Sequence, residues 1–318
     1  MLLWRGARSV QLEVGLHRLL VDGVDSPAVQ ELLTPSPATG GVGRLRTALT
    51  ERGYLWPASD PLTPPEPRLA AELTALAARV GPDAVDVLAE RGTRCVVVQG
   101  TGRAGPAIAA LLAAAGVGHV HMLERAPARL VHVLPGGAGY ADEGASLSDA
   151  TAAAVLRVAP GTDVTPPALG RVPDLVVLAI DDPVDSDRRA ALHAREVAHL
   201  RVRLAPGVGV VGPLVVPGLT SCLGCADLHR RDRDPAWPAL ALQLGTPRRY
   251  TTTAEVTTSA LIAAVATTQA LAFLDGEEAA AVDGTLEVHP PDWRIRRRSW
   301  ASHADCGCLS VQQGTMSP

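Results

Sequence analysis

An α/β fold built on a Rossmann-like, mainly parallel sheet is the fold class that the sequence predicts, and two stretches carry this prediction. Residues 94–125 contain a short apolar run, a glycine-rich turn, a small-residue helical stretch and a second apolar run, which is the order of a βαβ unit. Residues 175–180, LVVLAI, form another continuous apolar run of the kind found in buried parallel strands. We therefore expect a nucleotide-binding type of architecture.

The turn of the βαβ unit, GTGRAG, fits the dinucleotide-binding pattern G-x-G-x-x-G. Gly100 allows the tight turn, Gly102 lets a phosphate approach the backbone, and Gly105 lets the next helix pack close to the strand. Glu124 ends the second strand about twenty residues after the last glycine, where an acidic ribose ligand is expected. The alternative is a Rossmann-like unit whose glycines serve only packing, and the pattern leaves both open.

Composition limits the classes of function. The chain has 318 residues, of which 47% are hydrophobic, and a net charge of −4 without any long basic run, which argues against nucleic acid as a partner. No apolar run reaches membrane-spanning length without Gly, Pro or a charge, and the N-terminus lacks a signal-peptide core, so we expect a soluble cytoplasmic protein. The sequence contains no lysine, so all phosphate contacts by long cationic side chains fall to arginine.

A small N-terminal module is predicted for residues 1–56, followed by a semi-rigid, proline-rich linker at 57–68. The sequence patterns of residues 1–56 indicate a winged-helix-like fold. The alternative is an N-terminal extension packed on the main domain. Ser26 is expected to cap the first helix, with Pro27 in its first turn. The predicted elements of the module are strands at 10–14 and 18–21, helices at 28–33 and 42–52, and a short apolar exit at 54–56.

The main domain is expected to span residues 69–308, with a disordered tail at 309–318. The Gly-, Ala- and Ser-rich stretch 134–153 predicts a loop, and the long apolar stretch 257–274 predicts a buried helix. The other predicted elements are helices at 69–80, 84–90 and 187–200 and strands at 202–204, 208–212 and 214–216.

Four of the five cysteines form two close pairs, Cys222 with Cys225 and Cys306 with Cys308. Two such pairs complete the tetrahedral ligand set of a structural zinc ion, and in a cytosolic chain zinc is favoured over disulfides. The long gap between the pairs is natural for a clip that ties the chain end to the domain. A redox C-x-x-C motif and unrelated surface thiols are the alternatives. Cys95 lies in an apolar run and is expected to be a buried core thiol.

Taken together, the glycine-rich βαβ unit, the strand that ends in AIDD and the two cysteine pairs resemble the ThiF/MoeB/ubiquitin-activating superfamily, from about residue 70 to residue 308. The resemblance implies a ThiF-type sheet and places Asp181 at the family's metal-binding aspartate. It also implies ATP with Mg²⁺ as ligands. Members of the superfamily are commonly dimeric, so a homodimer is one expectation.

Residues 225–238, CADLHRRDRDPAWP, resemble a narrower branch associated with azole- and azoline-forming peptide biosynthesis. In that branch an N-terminal winged-helix-like domain grips the leader of a ribosomal precursor peptide, and the ThiF-like body supports a partner cyclodehydratase. The resemblance therefore implies that residues 1–56 recognise a leader peptide.

The segment after the second strand departs from the active members of the superfamily, which adenylate the C-terminal carboxylate of a small protein. Glu124 can replace the family's ribose-binding Asp, but Ala126 stands where a second acid is usual, and the Asn/Arg block is missing. Arg103, inside the glycine loop, and Arg125 or Arg129 could substitute for the absent phosphate-facing Lys, although no spacing in the sequence shows it. Asp181 has a plain structural alternative as a turn or helix-capping residue.

These departures predict a binding scaffold for peptide modification with a degenerate nucleotide site. The first alternative is an active ATP-dependent adenylyltransferase that activates the C-terminus of a ubiquitin-like or sulfur-carrier protein, which the intact glycine loop, Glu124 and Asp181 favour. The second is a nicotinamide-dependent oxidoreductase. It is disfavoured by the four-cysteine clip and by the lack of a clear catalytic Tyr/Lys or Cys/His arrangement.

Overall fold

Residues 1–15, 17–34, 40–55, 63–244 and 254–308 are described by the computed structural model. The chain divides into two compact units, Met1–Glu90 and Arg91–Pro318. The predicted limits of the N-terminal module and of the linker stay predictions. Residues 56–62 and the predicted C-terminal tail lie outside the described residues.

The first unit contains three strands and four helices. They are β1 (Leu2–Gly6), β2 (Ser9–Val14), β3 (His17–Asp22), α1 (Ser26–Leu33), α2 (Gly40–Glu51), α3 (Ala70–Val80) and α4 (Ala84–Arg91). The strands form an antiparallel sheet in the order β1-β2-β3. Val10 and Leu12 of β2 pack with α1 and α2 in two small apolar clusters, while Leu76 and Leu88 join α3 to α4.

Two details of this unit differ from the sequence expectation. The cap of α1 is Asp25, whose carboxylate accepts a hydrogen bond from the Ala28 N–H at 3.0 Å, so Ser26 is the first helical residue rather than the cap. Strand β1 was not expected, because four of its five residues are exposed and show no apolar alternation. It forms by pairing with β2. The winged-helix assignment stays a prediction.

A seven-stranded mixed sheet forms the centre of the second unit. Its elements are β4 (Cys95–Gln99), α5 (Gly105–Ala114), β5 (His119–Leu123), α6 (Leu147–Val158), β6 (Leu175–Ala179), α7 (Ser186–Ala194), β7 (His199–Ala205), β8 (Val208–Val215), α8 (Leu223–Arg233), α9 (Trp237–Leu244), α10 (Val256–Leu274), β9 (Gly284–Val288) and β10 (Arg296–Ser299). The strand order is β10-β9-β8-β7-β6-β4-β5. Strands β4 to β7 are parallel, and β8 to β10 add an antiparallel wing. The predicted α/β class is confirmed.

Both faces of the central parallel strands β4 and β6 are covered, which explains why their sequences are apolar without alternation. Val96 and Val98 face the main core with α5, α6 and α10, whereas Val97 joins a second cluster with Leu192 of α7. The carboxyl ends of these strands are therefore held by a rigid, close-packed frame.

Helix α10 has the length and apolar composition of a membrane span, and among the described residues it alone meets that criterion. It packs against α5 and β8, and Ile262, Ala266 and Ala270 are fully buried. The prediction of a buried helix here is confirmed, and the apolar composition serves the core.

The loop predicted for residues 134–153 is wrong in its second half, because α6 begins at Leu147. Ser146 caps it by accepting a hydrogen bond from the Asp149 N–H at 3.1 Å. The first half is packed, since a Cβ at Gly137 would lie 3.1 Å from the backbone nitrogen of Ala107.

The helix predicted for residues 187–200 is also too long. Helix α7 ends at Ala194, and Glu196 takes a φ of 52° that turns the chain. The residues from His199 onward form β7, which pairs with β6 on one side and β8 on the other. Pairing on two edges outweighs the local helical pattern, as tertiary context often does.

Candidate functional site

The glycine-rich turn, Glu124 and Asp181 follow β4, β5 and β6, which are adjacent parallel strands. Carboxyl ends of parallel strands meet at one edge of the sheet, and ligands of open α/β sheets bind there. The fold therefore brings the residues predicted for the nucleotide site to a single edge.

The glycines of the turn lie against the end of β6 with no room for a side chain. A Cβ at Gly100 would lie 2.4 Å from the Ala179 carbonyl oxygen, and one at Gly102 would lie 2.6 Å from the same atom. The Gly102 N–H donates to that oxygen at 2.8 Å. A Cβ at Gly105 would lie 3.2 Å from the Ala179 Cβ. Close packing thus requires glycine here whether or not a nucleotide binds.

Arg103 is engaged by backbone carbonyl groups. Its Nε and Nη2 donate to the Val133 oxygen at 3.3 and 2.8 Å, and its Nη1 donates to the Ala254 oxygen at 3.1 Å. The half-buried guanidinium therefore ties the glycine loop to the segments before α6 and before α10. Much of its donor capacity is used inside the protein.

Asp181 lies beside the glycine loop, because a Cβ at Gly102 would be 3.5 Å from its Oδ1. That oxygen accepts a hydrogen bond from the Leu204 N–H at 2.8 Å. Burial raises the pKa of Asp181 to about 6, although the Leu204 N–H acts in the opposite direction. The helix-capping alternative is wrong, because Asp185 caps α7. A carboxyl group with a raised pKa in this position is a candidate functional group.

Glu124 is half-buried, and its carboxylate is oriented by its own chain. Its Oε1 accepts a hydrogen bond from the Ala126 N–H at 2.9 Å. A carboxylate has several acceptor positions, so this bond is compatible with a ligand hydroxyl on the other oxygen.

His132 is a buried residue at this edge that the sequence did not single out. Its Nδ1 accepts a hydrogen bond from the Arg129 N–H at 3.0 Å. Burial lowers the pKa of His132, the nearby charge of Arg129 adds to the effect, and a hydrogen bond with the Thr101 backbone opposes it. Burial thus favours the neutral imidazole, and its contact with the Thr101 backbone braces the glycine loop. The sequence did not mark His132, because its neighbours Val131 and Val133 make the stretch resemble an ordinary apolar run.

The four paired cysteines converge on one point. All four sulfur atoms lie within 4.8 Å of one another, with Sγ–Sγ distances of 3.5 Å for Cys222–Cys306, 3.4 Å for Cys225–Cys308 and 3.9 Å for Cys222–Cys225. A tetrahedral ion with metal–sulfur bonds of about 2.3 Å requires separations of about 3.8 Å. The donor set and spacing fit a metal ion, and the expectation that the two pairs meet is confirmed.

Local structure explains how the first pair is presented. Cys222 precedes α8 and Cys225 lies in its first turn, where the helix dipole favours thiolates. A Cβ at Gly224 would lie 3.3 Å from the Cys222 Sγ and 3.5 Å from the Cys306 Sγ, so a side chain there would crowd the cluster. Burial raises the pKa of Cys222 to about 11. A bound cation would reverse that effect, because it stabilises the thiolates.

Polar contacts hold the second pair against α8 in addition to the sulfurs. His303 Nε2 lies 2.7 Å from Asp232 Oδ2, and His229 Nε2 lies 2.8 Å from the Ala301 oxygen. Arg231 forms an ion pair with Asp305 at 3.0 Å. The two histidines therefore fasten the C-terminal segment to α8, which is the arrangement of a clip.

Comparison with known proteins gives matches among solved structures alone. No family model and no curated protein matches the chain. The structure of E. coli MccB with ATP is similar, with a TM-score of 0.72, 14% identity and coverage of 97% of each chain. The microcin C7 biosynthetic enzyme MccB in complex with N-formylated MccA gives the same values. PaaA has a TM-score of 0.68 and 14% identity, covering 94% of this chain and 98% of its own.

MccB and PaaA are ThiF/MoeB-like enzymes. The matches cover 97% and 94% of this chain. The resemblance inferred from the sequence is confirmed at the level of the fold: this chain has the fold of the ThiF/MoeB-like enzymes.

Proposed function

We propose that the chain is a cytoplasmic, ThiF-like protein of azole- and azoline-forming peptide biosynthesis, which binds a precursor peptide and supports a partner cyclodehydratase. The observation that carries the proposal is the similarity to MccB in complex with N-formylated MccA, because it covers 97% of both chains and so includes the N-terminal unit. The likeness of residues 225–238 to the cyclodehydratase-associated branch supports the partner.

The N-terminal unit supplies a suitable surface for a peptide. Strands β1 and β3 are the edges of the three-stranded sheet, and the side chains of β3 are exposed or half-buried along its length. An open edge can add an extended peptide as a further strand through main-chain hydrogen bonds. We place the leader-binding role on this sheet.

The nucleotide site is proposed to be degenerate. The Arg103 guanidinium donates hydrogen bonds to the carbonyl oxygens of Val133 and Ala254. The Gly102 N–H donates a hydrogen bond to the Ala179 oxygen. The chain has no lysine to take over the contact with a transferring phosphoryl group. Binding of a peptide is therefore expected without adenylation of it.

Two measurements on the metal-loaded, full-length chain test this proposal. Calorimetric titration with ATP, with and without Mg²⁺, is expected to show no binding. Fluorescence polarisation with synthetic leader peptides of azole- and azoline-forming precursors is expected to show micromolar binding to at least one, with its scrambled sequence as control. Failure of every leader would contradict the peptide role, whereas Mg²⁺-dependent ATP binding would contradict only the degenerate site.

An active ATP-dependent adenylyltransferase is the second candidate, acting on the C-terminus of a ubiquitin-like, sulfur-carrier or peptide substrate. The position of Asp181 beside the glycine loop favours it, as does the similarity to MccB solved with ATP. Substrate-dependent exchange of pyrophosphate into ATP would support this candidate, and loss of the exchange in Asp181→Asn would assign the metal-binding role to that carboxylate.

We also propose that the four-cysteine cluster holds structural zinc and that the chain forms a homodimer. The sulfur separations and the cysteine donor set support zinc. Metal analysis and light scattering of the purified chain test the two statements separately.

A further inference from the structure

A pocket lined by four arginines lies outside the nucleotide and cysteine sites. Its volume is about 240 Å³, well above the ~10–15 Å³ that one water needs, so it has room for a multi-atom ligand. It is formed by β7 with α7, α8 and α9 and opens on the face of the sheet opposite the main core. Its polar lining consists of Arg189, Arg201, Arg203, Asp227, Arg230 and Trp237.

The charges of the lining are not balanced within it. Asp227 is its single acidic residue and is shared by two arginines, with ion pairs of 2.9 Å to Arg189 and 3.0 Å to Arg230. Within the lining itself, four arginines therefore face one aspartate. Arg201 and Arg203 also donate to the backbone oxygens of Asp182 and Asp181.

Two buried donors in the lining lack a partner. The Nε of Arg201 and the indole Nε1 of Trp237 are sealed from solvent without any hydrogen-bond acceptor among the described residues. Burial of the Arg201 guanidinium, together with the charges of Arg203 and Arg230, lowers the pKa of Arg201 to about 10. A buried donor without an acceptor is costly, and a buried cation beside other cations more so.

The aromatic ring holds one of the arginines in place. The Arg230 guanidinium carbon lies 5.1 Å from the centre of the Trp237 ring, which is within the range of a cation–π contact. The planar guanidinium fork matches the geometry of phosphate and carboxylate oxygens. Four arginines around one cavity favour a phosphate or diphosphate group over a singly charged carboxylate.

We propose that this arginine pocket is an anion-binding site that takes a phosphate or diphosphate group, either free or carried by a small molecule. The ligand would accept hydrogen bonds from Arg201, Arg230 and Trp237 and neutralise the lining. The proposal does not depend on catalysis at the glycine loop, because no glycine-loop residue lines the pocket.

Calorimetry at low salt on the full-length chain tests the proposal, with inorganic phosphate, pyrophosphate and AMP as separate titrants. Arg230→Met is expected to weaken binding by about tenfold to hundredfold, since it removes charge-assisted hydrogen bonds. The matched control is Arg233→Met on the same helix, which removes the same charge outside the lining and should leave the affinity within about twofold.

The titrants separate the sources of the anion. Tight binding of phosphate or pyrophosphate that Arg230→Met abolishes means a free anion, and preferential binding of AMP with the same loss means a phosphate carried by a nucleotide. The proposal is overturned if no titrant binds, or if Arg230→Met and Arg233→Met bind as the unaltered chain does. Should Arg230→Met fail to fold, Arg189→Met replaces it, and Trp237→Phe tests the indole donor with the ring retained.

Discussion

At Asp181, burial disfavours the negative charge of the carboxyl group. Its carboxyl group is half-buried at the end of β6, accepts the Leu204 N–H, and has a pKa raised to about 6 by burial. The charge of Asp182 adds to this effect, and those of Arg203 and Arg201 oppose it. A cation near this carboxyl group would favour its ionised form.

The raised pKa makes the stability depend on pH in a defined direction. The folded state favours the protonated carboxyl, so this stabilisation is complete below about pH 4 and is lost as the pH rises through about 6. Asp181→Asn keeps an acceptor for the Leu204 N–H without a charge. We expect it to raise the free energy of unfolding at pH 7.5 by on the order of 1–3 kcal/mol and to change it little at pH 4.

Urea denaturation at both pH values measures this effect. Asp182→Asn is the matched control, because it removes the same charge from the exposed neighbouring position. A lower stability of Asp181→Asn than of the unaltered chain at pH 7.5 would contradict the assignment of burial as the dominant cause.

Helix α8 is the element that links the two chemical regions of the second unit. Cys222, just before the helix, and Cys225, in its first turn, belong to the cysteine cluster. The next turns place Asp227 and Arg230 in the arginine pocket. With zinc bound as proposed, its removal should therefore loosen the pocket as well as the C-terminal segment.

Replacing a cysteine at the start of this helix tests the metal. Cys222→Ser is expected to lose stoichiometric zinc and to lower the melting temperature by on the order of 10 °C, since structural zinc contributes folding free energy. Cys95→Ser is the control, because that buried strand thiol lies outside the cluster and its replacement should retain zinc. Metal analysis separates the outcomes, and zinc at full occupancy in Cys222→Ser would refute the site.

At the scale of the whole molecule, the two compact units have separate apolar cores. The first is built on clusters around Val10, Leu12 and Leu76, and the second on the clusters that cover both faces of the mixed sheet. Because the cores are separate, each unit can unfold locally while the other stays folded.

Removal of the metal should affect these cores unequally. Hydrogen exchange after treatment with a strong chelator is expected to accelerate in α8 and in β8, which packs on the cysteine cluster through Val215. Exchange in β2 and α1 is expected to stay unchanged. An equal acceleration in both units would show that the metal acts on the fold as a whole.

The local pattern of the sequence was sufficient to predict the α/β class, the strands β4, β5 and β6, and the glycine loop. It also predicted that the two cysteine pairs meet. These features are readable because strands buried on both faces are continuously apolar, and because tight turns and metal sites demand particular residue types at short spacings. The edge strand β10 was missed, since all of its residues, RRRS, are exposed and carry no apolar signal. Its pairing with β9 makes it a strand.

Other features depend on side chains that are far apart in the chain. The engagement of Arg103 by Val133 and Ala254, the bracing of the loop by His132, and the gathering of four arginines around Trp237 have no local pattern. Periodicity records whether a residue is buried, but it does not record which distant groups it meets there. That information arises only when the strands pair and the helices pack, because hydrogen bonds and charge pairs are decided by positions in space and not by spacing along the chain.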